Sequence, residues 1–373
     1  MDRISDYLFR KASINKIPLS GTFELSPICN FSCKMCYVRR TMSQIKKEGK
    51  QIKNWTEWVT LAEQCKKEGT LYLLLTGGEP FLYPHFKELY LKLHSMGFLI
   101  AINTNGTLID EQTVEWLKDA APTRINITLY GASAKTYKKI CGEECGLQKT
   151  QKAIELLKTA GINVVINGSM IPENEKDMED IIRYGKENNI FTRISTYMFP
   201  PVRRESEIDD SRCSAEQSAE LFIRKNRCLL DDKQFIGFLK NQQSKIGNKI
   251  FEEEESWGSN LEHMRCRAGR STFWVSWEGI MTACGMMPFP IEVNPFQKPF
   301  DQCWMELTNK VREANVLHEC SKCDKKEICN PCAAMLYAEN GDVNKKPQYL
   351  CDLAENIICK IEKELKGEAE NEC

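Results

Sequence analysis

The sequence predicts an α/β fold built on a parallel sheet, followed by a smaller cysteine-rich region with a β-hairpin and helices. Three observations predict it. Apolar runs alternate with amphipathic ones six times between residues 21 and 199, Pro200-Pro201 stops the alternation, and the cysteines of the last third crowd together. Strand and helix patterns in alternation mark βα units, whose ligands gather at the carboxyl ends of the strands.

In chain order, residues 1–20 read as an N-terminal extension and 22–25 as a short strand leading into a cysteine-bearing loop. Asn54 opens a helix, because Glu57 three positions later completes a capping box. Its apolar stripe of Trp55, Trp58, Val59, Ala62 and Cys65 puts Cys65 on a buried face. Further strands are expected at 70–76, 98–104, 124–130, 162–167 and 191–197, with helices near 84–96, 110–120, 147–160 and 174–189. Six units are too few for a closed eight-stranded barrel, so the pattern alone leaves open sheet and partial barrel undecided. Residues 200–262 are polar, carry the acidic run Glu252 to Glu255, and read as a helical bridge with a solvated face. A cysteine-rich unit is expected over 263–360 and a polar tail over 361–373.

The chain has 373 residues, 42% apolar and 28% charged, which suits a soluble globular protein of two domains. With 51 basic against 52 acidic residues the net charge is -1, and neither a nucleic-acid partner nor an anionic membrane surface is implied. The 18 cysteines follow a mixed-charge start with no apolar secretory core. No apolar run approaches the roughly 18 residues that cross a bilayer. The expectation is a cytoplasmic protein with thiols reduced or metal-bound.

Cys29, Cys33 and Cys36 are separated by three and two residues, and no fourth cysteine follows before Cys65. Structural zinc and ordinary [4Fe-4S] sites take four protein ligands, so three clustered thiolates imply a metal with a position left for a non-protein group. This run, with Gly77-Gly78-Glu79-Pro80 after an apolar stretch, resembles the radical S-adenosylmethionine (SAM) superfamily. The resemblance implies a partial (βα)6 barrel in which Cys29, Cys33 and Cys36 hold a [4Fe-4S] cluster whose fourth iron chelates SAM. It implies that Gly77, Gly78, Glu79 and Pro80 receive the cofactor's amino group. Thr128 would meet the ribose, and Thr104 and Asn105 would face the cofactor, although such polar strand ends also serve as plain turn formers. The residue before the last cysteine is usually aromatic and lies on the adenine; here it is Met35, whose thioether also packs on a π-face.

The second array is Cys266, Cys284, Cys320, Cys323, Cys329, Cys332 and Cys351. Between the first two, 272–277 and 280–283 read as a hairpin turning at Glu278-Gly279. The order resembles the SPASM domain of ribosomal-peptide maturases and anaerobic sulfatase maturases. That resemblance implies two auxiliary [4Fe-4S] clusters, Cys266, Cys284 and Cys332 holding one and Cys320, Cys323, Cys329 and Cys351 the other. The chain departs from it at Asn330-Pro331, where the family has three residues. Taken alone, Cys320, Cys323, Cys329 and Cys332 could equally form a zinc knot. Cys303 is open between ligand and core, Cys213 and Cys228 have no neighbours at ligand spacing, and Cys141 with Cys145 reads as an unpaired surface pair. His85, His94, His263 and His318 fit no metal motif.

The resemblance implies reductive cleavage of SAM to a 5'-deoxyadenosyl radical that modifies a peptide or protein side chain, thioether formation being one outcome. It implies three [4Fe-4S] clusters, a flavodoxin- or ferredoxin-type reductant, and a separate leader-peptide-binding protein or recognition at the barrel mouth. A sulfatase-type maturase is an alternative, lowered by Gly285 where those enzymes carry an aspartate. An iron-sulfur electron carrier or binding module is another; it would not need the Gly-Gly-Glu-Pro stretch.

Overall fold

The computed structural model describes residues 4–200, 203, 212–246, 266–314 and 317–367. The acidic run at 252–255 and His263 lie outside the described residues. The elements are α1 (Ile4–Ile14), β1 (Ser20–Glu24), α2 (Met42–Lys47), α3 (Trp55–Lys67), β2 (Tyr72–Thr76), α4 (Phe86–Ser95), β3 (Leu99–Thr104), α5 (Glu111–Asp119), β4 (Arg124–Thr128), α6 (Ala134–Cys141), α7 (Gly146–Thr159), β5 (Val164–Ser169), α8 (Met178–Glu187) and β6 (Phe191–Ser195). Beyond them come α9 (Ala215–Leu229), α10 (Asp232–Ser244), β7 (Thr272–Val275), β8 (Met281–Thr282), α11 (Phe300–Glu313), α12 (His318–Lys322), α13 (Lys326–Cys329), α14 (Ala333–Asn340) and α15 (Gln348–Lys366).

β1 to β6 pair in parallel, each with the next, as short connections and βα crossovers require. The capping box at Asn54 and Glu57 is formed, and Cys65 is fully buried in α3. Strand ends differ from expectation by at most two residues: β1 starts at Ser20, β4 stops at Thr128 and β6 at Ser195. The residues after Thr128 bend away because the Asn174 side chain takes the Tyr130 carbonyl at 2.9 Å.

Two features depart further from the sequence reading. The hairpin turns at Gly279 as expected, with the Ser276 amide donating to the Ile280 carbonyl at 2.8 Å. Yet β7 pairs in parallel with β1, Ser20 opposite Thr272, so the sheet runs β6-β5-β4-β3-β2-β1-β7-β8. The free edge of β1 is satisfied by the cysteine-rich region itself, which is therefore no detached unit. The expected extension at 1–20 holds α1, and the Ser13 hydroxyl bonds Ser271 at 2.9 Å just ahead of β7.

The helical bridge contains α9 and α10, which pack on α15 through Ala219, Ile223, Phe235, Leu239, Ile357 and Ile361. Because Ile361 is buried, the expected polar tail from 361 begins inside a packed helix that runs to Lys366. No helix among the described residues is long and apolar enough to cross a membrane.

Candidate active site

The loop after β1 rests on the loop after β2. The Gly78 amide donates to the Ser26 carbonyl at 2.7 Å and the Glu79 amide to the Ile28 carbonyl at 2.8 Å. A β-carbon on Gly77 would stand 2.4 Å from the Ser26 oxygen, and one on Gly78 2.3 Å from the Ile28 oxygen, so only glycine permits this approach. The glycine pair thus props up the segment that carries Cys29, Cys33 and Cys36.

Around those thiols the backbone is already arranged for sulfur anions. The Phe31 amide points at the Cys29 sulfur and the Arg39 amide at the Cys36 sulfur, both at 3.3 Å. Without a metal, burial pushes the Cys29 thiol up to about 12. A hydrogen bond with Cys141, offset in part by burial, lowers Cys33. Soft thiolates held by amide donors suit an iron-sulfur cluster. Among the described residues no three or more Cys, His, Asp or Glu side chains converge closely enough for a single metal ion. A cluster asks less convergence, since each thiolate binds a different iron.

Glu79 is 1% exposed and accepts from the Thr104 hydroxyl at 2.7 Å, the Asn105 amide at 2.9 Å and the Phe81 amide at 3.1 Å. Burial outweighs these donors and raises its carboxyl to about 7. Such a buried carboxylate lacks a cation, which is what an ammonium group would supply. Pro80 starts the short turn that Glu79 caps. Thr104 and Asn105, expected to face the cofactor, hold Glu79 through these bonds. The Asn105 side chain also donates to Asn30 at 2.9 Å and lies 3.8 Å from the Cys29 sulfur. Thr128 is half-buried opposite Asn167 on β5, and Met35 is partly buried against the core.

The second array separates into two groups. Cys284 feels the charges of Cys332 and Cys266, and Cys332 that of Cys266. Cys332 is the N-cap of α14, and burial raises its thiol, offset in part by the backbone amides of the first turn. Elsewhere Cys329 feels Cys351, Cys320 and Cys323, and burial pushes it up to about 12. Electrostatic influence thus links Cys266, Cys284 and Cys332 with one another and Cys320, Cys323, Cys329 and Cys351 with one another. Cys303 joins neither group: it is fully buried on α11, with its sulfur 3.8 Å from the Lys298 carbonyl, and is core.

Cys141 corrects the surface-pair reading. It is 1% exposed and packs against Cys33, whereas Cys145 is exposed. The periodicity of α6, with Tyr137, Ile140 and Cys141 all buried, was the available signal.

A cavity of about 210 Å³, lined by Tyr37, Arg40, Trp274, Trp277, Glu278 and Gly285 among others, lies between the first cysteine loop and the hairpin. Burial raises the Tyr37 phenol, and the charges of Glu24, Cys36 and Cys284 add to the rise. Buried Glu24 at the end of β1 is bonded at 2.7 and 2.8 Å by Arg203, which also lines the cavity. A β-carbon on Gly285 would meet the Trp274 indole at 2.5 Å, so an aspartate fits here only if Trp274 moves.

Apart from Thr128, sequence reasoning missed the polar residues on the sheet face opposite the packed helices. Asn103 pairs with Asn126, Thr128 with Asn167, and Asn167 with Arg193, while Ile125, Ile127 and Ile166 bury the other face. Asn126 donates to Asn103 at 2.7 Å, and its own oxygen is buried without a partner. The signal was the alternation of Arg124, Asn126 and Thr128 with isoleucines in β4, and a single asparagine in each of the otherwise apolar β3 and β5.

The sequence profile described as the radical SAM superfamily matches residues 23–185, from β1 into α8. Residues 23–185 form a radical SAM domain. The chain is 25% identical over 346 residues to the AdoMet-dependent heme synthase of Methanosarcina barkeri, covering 90% of this chain and 97% of that one. It is 23% identical over 350 residues to the antilisterial bacteriocin subtilosin biosynthesis protein AlbA of Bacillus subtilis, covering 91% and 72%. Among solved structures, anSMEcpe with bound AdoMet superposes with a TM-score of 0.68 at 18% identity, over 94% of this chain and 98% of that one. Streptococcus suis SuiB bound to S-adenosylmethionine does so with 0.63 at 17%, over 91% and 79%. The fold of the sheet and of the cysteine-rich region that follows it is thus shared with both structures.

Proposed function

We propose that this radical SAM protein modifies a side chain of a peptide or protein, with Cys29, Cys33 and Cys36 holding the cluster that binds SAM. Bound there, SAM supplies on one-electron reduction a carbon radical able to take a hydrogen atom from a substrate C–H bond. The protein's part is placement and exclusion of water. Glu79 receives the cofactor's ammonium, the Gly77-Gly78 prop fixes the loop, and the orphan oxygen of Asn126 is an acceptor for a substrate or cofactor group.

The observation that carries the peptide reading is the cavity beside Tyr37. At about 210 Å³ it admits a side chain or a short stretch of peptide, and it is smaller than the roughly 300–1,000 Å³ pockets that enclose drug-sized ligands. Its lining includes Tyr37 and Gly285, the residues that directly follow Cys36 and Cys284. The resemblance to AlbA over most of the chain supports the same reading, as does the shared fold with SuiB, a structure of which holds the precursor peptide SuiA.

Cys266, Cys284 and Cys332 would hold an auxiliary cluster with no fourth cysteine among the described residues, and Cys320, Cys323, Cys329 and Cys351 a fully ligated one. The three-thiol site leaves a soft position that a substrate thiolate suits, which favours thioether formation. An external flavodoxin- or ferredoxin-type donor supplies the electron, and a separate protein supplies leader-peptide recognition where the substrate has a leader.

A second reading, action on a tetrapyrrole side chain, is favoured by relatives named AdoMet-dependent heme synthase and by the Fe-coproporphyrin III synthase of Methanosarcina barkeri, 22% identical over 324 residues. One experiment separates the two. Reconstituted protein is incubated anaerobically with SAM and dithionite, with either cysteine-containing peptides or Fe-coproporphyrin III, and 5'-deoxyadenosine and product masses are followed. A peptide lighter by two hydrogens supports the first reading; porphyrin turnover with inert peptides overturns it.

A further inference from the structure

The sheet face opposite buried Ile125, Ile127 and Ile166 can be followed from strand to strand by its register. Thr22 pairs with Leu74, Leu74 with Ala101, Ala101 with Arg124, and Asn126 with Val165, which pairs with Phe191. Side chains alternate along a strand, so Glu24, Arg124, Asn126, Phe191 and Arg193 share this face. Glu24 is its one carboxylate on β1 to β6, and Arg203 bonds both of its oxygens. Among the described residues neither Arg124 nor Arg193 is in an ion pair.

The Arg193 guanidinium lies over the Phe191 ring, 5.4 Å from its centroid, and so leans back toward the level of Asn126. There it faces Arg124, whose basicity is lowered by burial and by the charge of Arg193. Two like charges held together without a carboxylate side chain repel, and an anionic ligand relieves that repulsion. Beside them the Asn126 oxygen is buried with no donor on a residue 4% exposed, while Phe191 is 65% exposed. The place along the strands also matters. Thr104, which holds Glu79, stands opposite Ile127, three positions beyond Arg124 on β4, or roughly 10 Å at the rise of a strand. The arginines thus lie apart from the Glu79 pocket.

We propose that Arg124 and Arg193 bind a carboxylate of the substrate on the inner face of β4 and β6, with the Asn126 oxygen accepting from an N–H beside it. The inference rests on the peptide reading, in which the carboxylate is an aspartate or glutamate side chain set apart from the residue that is modified. Planar guanidiniums match carboxylate oxygens in paired, charge-assisted hydrogen bonds. The two arginines then select the substrate and hold it in register, away from the reacting atoms.

The test is anaerobic equilibrium dialysis of reconstituted, SAM-loaded protein against short cysteine-containing peptides rich in glutamate, and against the same peptides with glutamine in its place. Physiological ionic strength screens long-range attraction. Wild type should hold the glutamate set about tenfold to a hundredfold more tightly. Arg124→Gln and Arg193→Gln should each lose most of that preference, and Arg193→Lys, which keeps the charge, should retain part of it. Iron content and melting temperature show whether the variants fold. Equal binding of the two sets by wild type, or binding of no probe at all, would overturn the inference without any variant. So would a preference that survives in both glutamine variants. Fe-coproporphyrin III and its methyl esters form the second arm. Binding of the free acid but not of the esters, lost in both glutamine variants, with neither peptide set bound, would uphold the carboxylate site and sink the peptide reading.

Discussion

Glu79 shows how much one buried carboxylate constrains. If its charge meets the SAM ammonium, Glu79→Gln removes a contact of about 1.5–3 kcal/mol and weakens cofactor binding roughly tenfold to a hundredfold. Equilibrium dialysis should show that loss with iron content unchanged; equal affinity would reduce the loop to a turn. The cofactor-free protein carries a second signature. Its Glu79 keeps a proton up to about pH 7 in the fold, against 4.5 for the ordinary group. The folded state therefore binds more protons between those values, and stability falls as pH rises through that window, by at most about 3 kcal/mol. Glu79→Gln should flatten that part of a melting-temperature profile, and parallel profiles would count against it. At Gly78 the expected effect is steric. Gly78→Ala places a β-carbon 2.3 Å from the Ile28 oxygen, which should cost about 1–3 kcal/mol and displace the Cys29 loop. Iron analysis should then show the first cluster under-loaded.

Among the elements, the β1–α2 loop was the most legible, because metal ligands and glycine props are marked by residue type and spacing. The hairpin was half legible. Its turn at Gly279 could be read, but its pairing with β1 could not, since strand pairing depends on which edge is left open once the other strands have assembled. Cys141 and Cys303 were illegible for a related reason. A helix pattern shows that a cysteine faces inward, but not whether it meets a cluster ligand or a phenylalanine. The same uncertainty shapes a prediction for the group of Cys266, Cys284 and Cys332. A cysteine-containing substrate peptide should perturb the spectrum of the auxiliary cluster there, and its Cys→Ser counterpart should not. If any protein side chain is found on the fourth iron throughout turnover, the open position is gone and electron transfer is the role that remains.

For the whole molecule, ten cysteines in groups of three, three and four predict about twelve irons per chain after reconstitution. Replacing Cys29, Cys33 and Cys36 together by Ala should remove about a third of that iron and all 5'-deoxyadenosine formation. A triple variant that still cleaves SAM would place the radical site elsewhere. Replacing Cys266, Cys284 and Cys332 should remove a similar share while leaving slow, substrate-independent cleavage of SAM. These outcomes separate the radical site from its auxiliaries without knowledge of the natural substrate.

By itself the sequence determined the βα order, the thiol spacing on which the proposed cluster ligation rests, and the glycine pair that lets the loop after β2 meet the loop after β1. Each of these is encoded locally, in periodicity, in thiol spacing, or in glycines where a β-carbon has no room. Only the tertiary structure decided that the cysteine-rich region completes the sheet through β7 and that α15 closes the bridge helices. It also decided that the end of α6 holds the loop on either side of Cys33 and that a side-chain-sized cavity lies beside Tyr37. Those depend on contacts between residues a hundred or more positions apart, or on which of several inward-facing groups ends up opposite another. Packing selects such contacts from the whole chain at once, and no local pattern carries them.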